Sequence, residues 1–145
     1  MQVCLAEARG NAMKTLTDIE KPENQLAGKI IEAAIEVHRE IGPGLLESVY
    51  QTCLSRELRT LGLDVNREVI VPVRYKGTDT GQVLRLDLLV EDLVIIEVKS
   101  SVEFMPLFSL QLHTYLKVAQ KRLGLLINFN VPVVKDGIRR VVNEL

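Results

Sequence analysis

The sequence predicts one domain of the α/β (α+β) class. Apolar residues recur at helical spacing in the segments 26–61 and 106–119, the pattern of helices with one buried face. They alternate with their neighbours in the segment 69–75 and form short continuous runs at Leu93–Ile96 and Leu123–Ile127, as strands do. The predicted order is two helices, three strands, a helix and a strand, followed by a weak C-terminal strand or hairpin.

Composition excludes several classes of protein. The 145 residues are 47% apolar and 26% charged, and the net charge is −1. These values are typical of a globular core, and they give no overall basic field that would indicate a nucleic-acid binder. No apolar run approaches the roughly 18 residues of a membrane span. The first ten residues lack the apolar stretch of a secretory signal. We therefore expect a cytoplasmic protein that does not enter membranes.

The N-terminal segment 1–22 is mixed and aperiodic, and it predicts a flexible arm ahead of a single domain at 23–145. Whether the chain starts at Met1 or Met13 stays open. Cys4 and Cys53 form no CxxC pair and no disulfide framework, which fits a reducing compartment.

A short segment of glycine and proline separates the first two helices. Asn24 is a candidate N-cap for the first helix, and Gly42-Pro43-Gly44 ends it. The second helix runs to a C-cap at Gly62. The strand that follows contains Pro72, which cannot donate a ladder hydrogen bond, so we expect an edge strand or a bulge. The segment 76–81 is predicted to be a turn from its composition.

Charged residues interrupt the next two strands, at Val83–Val90 and Leu93–Ser100. Glu97 and Lys99 share one face because side chains alternate along a strand. The position of Asp87 depends on the turn. A two-residue loop places it on the face opposite to Glu97, whereas a three-residue loop that includes Leu93 places it directly across from Glu97.

Two interpretations of these acids remain open. Lys99 or Arg85 could neutralise Asp87 and Glu97 in a structural ion pair, or the acids could form a catalytic site. Glu47 favours the second interpretation, because it lies at the border of the apolar face of the second helix, from which it can point at the sheet.

The third helix, Pro106–Ala119, adds two candidates. Gln111 and Tyr115 are four residues apart and share a face, so both could hold substrate or water beside the acids. His113 lies between them, and we expect it on the surface. The C-terminal segment 117–140 contains six basic residues and one acidic residue, and within it Arg139 and Arg140 are candidates to hold a DNA backbone.

These residues carry a resemblance to a known group of enzymes. Asp87 followed by Glu97-Val98-Lys99 resembles the PD-(D/E)xK signature of the restriction-endonuclease-like nucleases, and the segment 44–50 matches the GxxExxY motif that names a family in that superfamily. The resemblance covers about residues 26–142. It implies a restriction-endonuclease-like core with a mixed β-sheet flanked by helices.

The resemblance also implies roles for individual residues. Asp87, Glu97 and the carbonyl of Val98 would bind a metal ion, with Glu47 as an additional acid, and Lys99 would lie beside the attacking water. An all-oxygen site suits Mg²⁺, and Mn²⁺ is an alternative. The predicted function is metal-dependent hydrolysis of phosphodiester bonds, and DNA is the expected substrate. The alternative is a catalytically weak or inactive nucleic-acid-binding or accessory module that keeps the nuclease fold, and a homodimer is a further option that the sequence leaves open.

Overall fold

The structure is a computed structural model that describes residues 21–145, so most of the predicted arm lies outside the described residues. The elements, in chain order, are α1 Pro22–Ile41, α2 Glu47–Thr60, β1 Val65–Tyr75, β2 Thr78–Val90, β3 Val94–Lys99, α3 Pro106–Ala119, β4 Leu123–Asn128, a 3-10 helix Val134–Gly137 and β5 Ile138–Val142. The predicted fold class and element order are confirmed, and the C-terminal segment forms one strand.

The five strands form one mixed sheet in the order β1-β2-β3-β4-β5. The pair β3–β4 is parallel and α3 connects its two strands, whereas the other pairs are antiparallel. Two apolar clusters cover the sheet: the first contains the buried residues of α1 and α2, and the second contains those of α3. No helix in the described part of the chain is long and apolar enough to cross a membrane.

Several predicted boundaries need correction. Asn24 is not the N-cap of α1, because the helix begins at Pro22 with Lys21 as its N-cap. Proline is well suited to this position, where no backbone donor is required. The turn between β1 and β2 is only Lys76-Gly77, with φ values of 49° and 80°, as in the tight turns whose twist matches that of a hairpin. The remainder of the predicted turn belongs to β2.

The edge position predicted for β1 is confirmed. Its pairing with β2 also shifts register between Pro72 and Arg74, so the strand has the predicted irregularity as well. At the other edge of the sheet, β5 pairs with β4 and with no other strand of residues 21–145.

Tyr50 fixes the connection between α1 and α2. Its ring is fully buried and stacks on Phe129 with a centroid separation of 4.5 Å. Its hydroxyl donates to the Gly42 carbonyl at 2.6 Å and accepts from the Leu45 amide at 3.1 Å. Both bonds connect Tyr50 to the segment between α1 and α2. They therefore hold the start of α2, where Glu47 lies, in a fixed place over the sheet.

The expectation for His113 is wrong. Its side chain is buried, with 4% of its surface exposed, and its Nε2 has no hydrogen-bond partner among the described residues. His113 follows Leu112, which is also buried on α3. The buried face of α3 therefore includes His113, which the sequence pattern placed on the solvent side of the helix.

Candidate active site

The hairpin between β2 and β3 has the register that brings the acids together. Val90 pairs with Val94 and Leu88 pairs with Ile96, so the connecting loop has three residues. Glu91 and Asp92 adopt left-handed φ values of 53° and 56° within that loop. The same register continued by one residue sets Asp87 across from Glu97.

At that point the side chains replace the strand ladder. The Asp87 backbone N–H donates to Glu97 Oε1 at 3.3 Å, and the Val98 backbone N–H donates to Asp87 Oδ2 at 2.8 Å. Each carboxyl group thus accepts a hydrogen bond from the backbone of the other strand. This exchange fixes both side chains at the end of the paired region, and Val98 is held beside them.

Burial dominates the electrostatics of this pair. The pKa of Glu97 is raised to about 8, first by burial and then by the charge of Asp87. The pKa of Asp87 is also raised, chiefly by burial. The two carboxyl groups share a side-chain hydrogen bond that favours the proton on Glu97. Without a cation, the pair therefore holds one proton at neutral pH.

No basic side chain of residues 21–145 forms an ion pair with either acid. Arg85 instead lies 3.5 Å from Glu68. Lys99 places its Nζ 4.6 Å from the centroid of the Phe108 ring, where its charge lowers the pKa of both acids without an ion pair. Within residues 21–145, the structure therefore lacks the ion pair in which Lys99 or Arg85 would neutralise Asp87 and Glu97.

The raised pKa of Glu97 predicts an unusual pH dependence of stability. Between pH 4.5 and about 8 the unfolded chain ionises Glu97 while the folded protein keeps the proton. The free energy of unfolding of metal-free protein should therefore fall as pH rises through this window, by up to about 1.4 kcal/mol per pH unit from this group, and level off above it. Denaturant unfolding at a series of pH values measures the slope.

Glu97→Gln should flatten that slope, since glutamine does not titrate. Glu23→Gln is the matched control, because Glu23 is another buried acid but lies 3.5 Å from Arg122. Equal slopes for wild type and Glu97→Gln would show that Glu97 is not the group responsible.

A cleft of about 560 Å³ opens beside Asp87, between the start of α2 and the sheet, and neither Glu97 nor Lys99 lines it. Glu47 lines it as an exposed residue, and Asp87 and Val98 line its other side. Among residues 21–145, no three Asp, Glu, His or Cys side chains come close enough together to hold a metal ion. Glu47 therefore faces the same cleft as Asp87, but it does not complete a three-carboxylate cage with Asp87 and Glu97.

Sequence reasoning missed two residues of this cleft, Gln51 and Glu68. Gln51 Nε2 donates to Glu68 Oε1 at 3.0 Å and to the Asp87 carbonyl at 2.8 Å. A signal for Gln51 was present, because it lies four residues after Glu47 and so on the same helical face. No comparable signal marked Glu68.

The two candidates on α3 lie in different environments. Tyr115 is half-buried, and its pKa is raised by burial and then by the charges of Glu97 and Asp87. Its hydroxyl is therefore within electrostatic reach of the acids. Gln111 is exposed and does not line the cleft, so a role for Gln111 in the site stays a prediction.

The structure separates the two arginines that sequence reasoning grouped. The Arg139 guanidinium lies 4.6 Å from the centroid of Phe104, on the α3 side of the sheet. Arg140 donates to the Asn24 side chain on the α1 side. Neighbouring residues on a strand point to opposite faces, so Arg139 and Arg140 cannot form one patch.

Other basic residues of the segment 117–140 are engaged within the fold. Lys121 lies 3.0 Å from Asp92, and Arg122 lies 3.5 Å from Glu23. The positive excess of this segment is therefore spread over several surfaces and partly neutralised.

Comparison with known proteins identifies the superfamily of this chain. A family model described as PD-(D/E)XK nuclease superfamily matches residues 24–141. The chain belongs to the PD-(D/E)XK nuclease superfamily. No curated protein and no solved structure matches the chain. Membership of the superfamily indicates a nuclease with a nucleic-acid substrate and a divalent metal ion.

The residues present fit such a metal ion. Asp87 and Glu97 offer a pair of carboxyl groups, one half-buried and one buried, with no paired cation among the described residues. A divalent ion would remove the need for their shared proton. Two carboxylates are a common protein contribution to Mg²⁺ binding, with the other positions left to carbonyls, water and phosphate. The lack of a third nearby side-chain ligand is consistent with this arrangement.

Proposed function

We propose that this protein is a Mg²⁺-dependent nuclease of the GxxExxY family that hydrolyses phosphodiester bonds of DNA in the cytoplasm, with Mn²⁺ as an alternative ion. The observation that carries the proposal is the Asp87–Glu97 pair, in which Glu97 is buried and Asp87 is half-buried. Asp87 lines an open cleft, and the charge of Lys99 lowers the pKa of both acids. Neither acid has an ion-pair partner among residues 21–145.

The proposed roles follow from the chemistry of each group. Asp87, Glu97 and the Val98 carbonyl would hold the ion. The ion would supply Lewis-acid stabilisation of the negative charge that develops on the phosphate. Lys99, as an ammonium, orients the attacking water and stabilises the negative charge that develops as the water attacks phosphorus and the bond to the leaving oxygen breaks. The proton of the attacking water passes to solvent, and the leaving oxygen takes up a proton from solvent.

The remaining candidates have roles in substrate binding. Glu47 faces the substrate from α2 and orients water in the cleft. Tyr115 and Gln111 contact substrate or water from α3. Arg139 contributes a phosphate contact on the α3 side through guanidinium nitrogens other than Nη1, since Nη1 donates to the Asp136 and Ile138 carbonyls. Arg140 would contact phosphate only from the α1 side of the sheet.

A second candidate function is a binding module without catalysis. The observation that favours it is the near-neutral net charge together with the internal partners of Lys121 and Arg122. Because phosphate contacts need available basic residues, such a module would bind nucleic acid weakly.

Incubation of the wild type with supercoiled plasmid, linear duplex, single-stranded DNA and RNA distinguishes the two functions. We expect the DNA substrates to be cut in Mg²⁺ and Mn²⁺ and to stay intact in EDTA, because the carboxyl pair requires the ion. Salt-sensitive binding without cleavage in any metal would favour the module. Preferential cleavage of RNA would correct the proposed substrate.

A further inference from the structure

The sheet is interrupted at Asp87. β1 pairs with β2 at Arg67–Leu88 and at Val69–Leu86, but the pairing between these two points is absent. Opposite Asp87, Glu68 has a left-handed φ of 52°, which costs energy for a residue with a side chain.

The interruption changes the face that β2 presents. Leu88 packs in the first apolar cluster and Leu86 packs in the second. Residues two apart on a regular strand share a face, so the strand rotates at Asp87. This rotation accompanies the arrangement in which the Asp87 carboxylate accepts from the Val98 amide.

One side chain compensates for the lost backbone pairing. Gln51 is 7% exposed, and its Nε2 donates both to the Asp87 carbonyl and to the Glu68 carboxylate. A buried carbonyl without a donor is costly, so the interruption depends on this amide. Gln51 is thus bonded to the main chain of one site acid and to the side chain of another acid in the cleft.

We propose that Gln51 is a positioning residue that holds β2 open at Asp87, with Glu68 as the anchor that orients its amide. Loss of the amide lets Asp87 resume pairing with β1 and moves its carboxylate away from the Val98 amide. The consequence for metal binding rests on the proposed function, whereas the effect on the position of Asp87 does not.

Gln51→Met tests the inference, because methionine has a similar length and removes the donor. The matched control is Ser55→Ala. Ser55 is buried one turn further along α2 and donates only to the Thr52 carbonyl within the helix. Two quantities are measured in each protein: hydrogen exchange of the Val98 amide without metal, and the affinity for Mn²⁺ by calorimetry.

In Gln51→Met we expect Val98 exchange to accelerate about tenfold or more, and Mn²⁺ affinity to fall by about 10–100-fold, as for other residues that orient metal ligands. Ser55→Ala should change neither quantity by more than about twofold, even where both variants unfold at a lower temperature. Glu68→Gln keeps the acceptor for the amide and should preserve Val98 protection.

Glu68→Ala removes the anchor together with the exposed ion pair to Arg85, and it should give the same effects at smaller size. It supplies the test should Gln51→Met fail to fold. Unchanged Val98 exchange in the variants overturns the inference whatever the metal affinity does. Faster exchange with unchanged Mn²⁺ affinity also overturns it as a role in the site. Faster exchange in a protein whose wild type binds no Mn²⁺ retains the positioning of Asp87 and contradicts the proposed function instead.

Discussion

Lys99→Ala is expected to slow DNA cleavage by about 10²–10³-fold, the range typical of removing one group that stabilises charge in the transition state. Metal binding should persist or tighten slightly, because the variant loses a positive charge near the carboxyl pair and keeps both ligands. Cleavage rates at saturating Mg²⁺ and a calorimetric titration measure the two effects separately.

The matched control for this experiment is Lys117→Ala. Lys117 is exposed on α3, two residues after Tyr115 and therefore on another side of the helix. Lys117→Ala removes one positive charge outside the site, so the activity of this variant should stay near that of the wild type. Equal activity of wild type and Lys99→Ala would mean that Lys99 has no part in the reaction.

Asp87→Asn should abolish both metal binding and cleavage. Asparagine retains an oxygen that can accept from the Val98 amide, but it removes the charge that a divalent ion needs. We expect metal-free Asp87→Asn to be at least as stable as the wild type at neutral pH, since the variant removes a partly buried carboxylate beside Glu97.

Thermal unfolding with and without Mg²⁺ measures these differences. Asp92→Asn is the control, since Asp92 lies in the hairpin turn and pairs with Lys121. It should keep the stabilisation by Mg²⁺ that the wild type gains from ligand binding. Undiminished stabilisation of Asp87→Asn by Mg²⁺ would place the metal site elsewhere.

The elements of this fold could be predicted because their patterns are local. The spacing of apolar residues indicated α3 with its observed bounds, and Pro72 indicated both the edge position and the irregularity of β1. The face shared by Glu97 and Lys99 followed from strand alternation alone. Membership of the superfamily followed from residues that are visible in the sequence.

Other features depend on backbone geometry that the residue types do not reveal. Glu91-Asp92 is not a dipeptide typical of a hairpin, so the loop length that sets Asp87 opposite Glu97 stayed open. The left-handed conformation of Glu68 is unusual for its residue type. Without it, neither the interruption of the sheet nor the role of Gln51 can be inferred.

The tertiary contacts of individual side chains were the least predictable feature of the structure. The basic segment 117–140 suggested a single phosphate-binding surface, but Arg139 and Arg140 face opposite sides of the sheet. His113 was expected at the surface because a lone histidine carries no signal of burial. Sequence spacing predicts which residues share a face, and it does not predict what that face contacts.

The divalent-metal site proposed at Asp87 and Glu97 is tested most directly by counting the protons that are released when an ion binds. Because the pair holds a proton on Glu97 with a pKa of about 8, binding of the ion at pH 7 must displace it. Titration of Mg²⁺ and Mn²⁺ in buffers of different ionisation enthalpy measures the number of protons released. We predict release of about one proton per bound ion in the wild type and no binding in Asp87→Asn. Absence of binding in the wild type, or binding without proton release, would contradict the assignment.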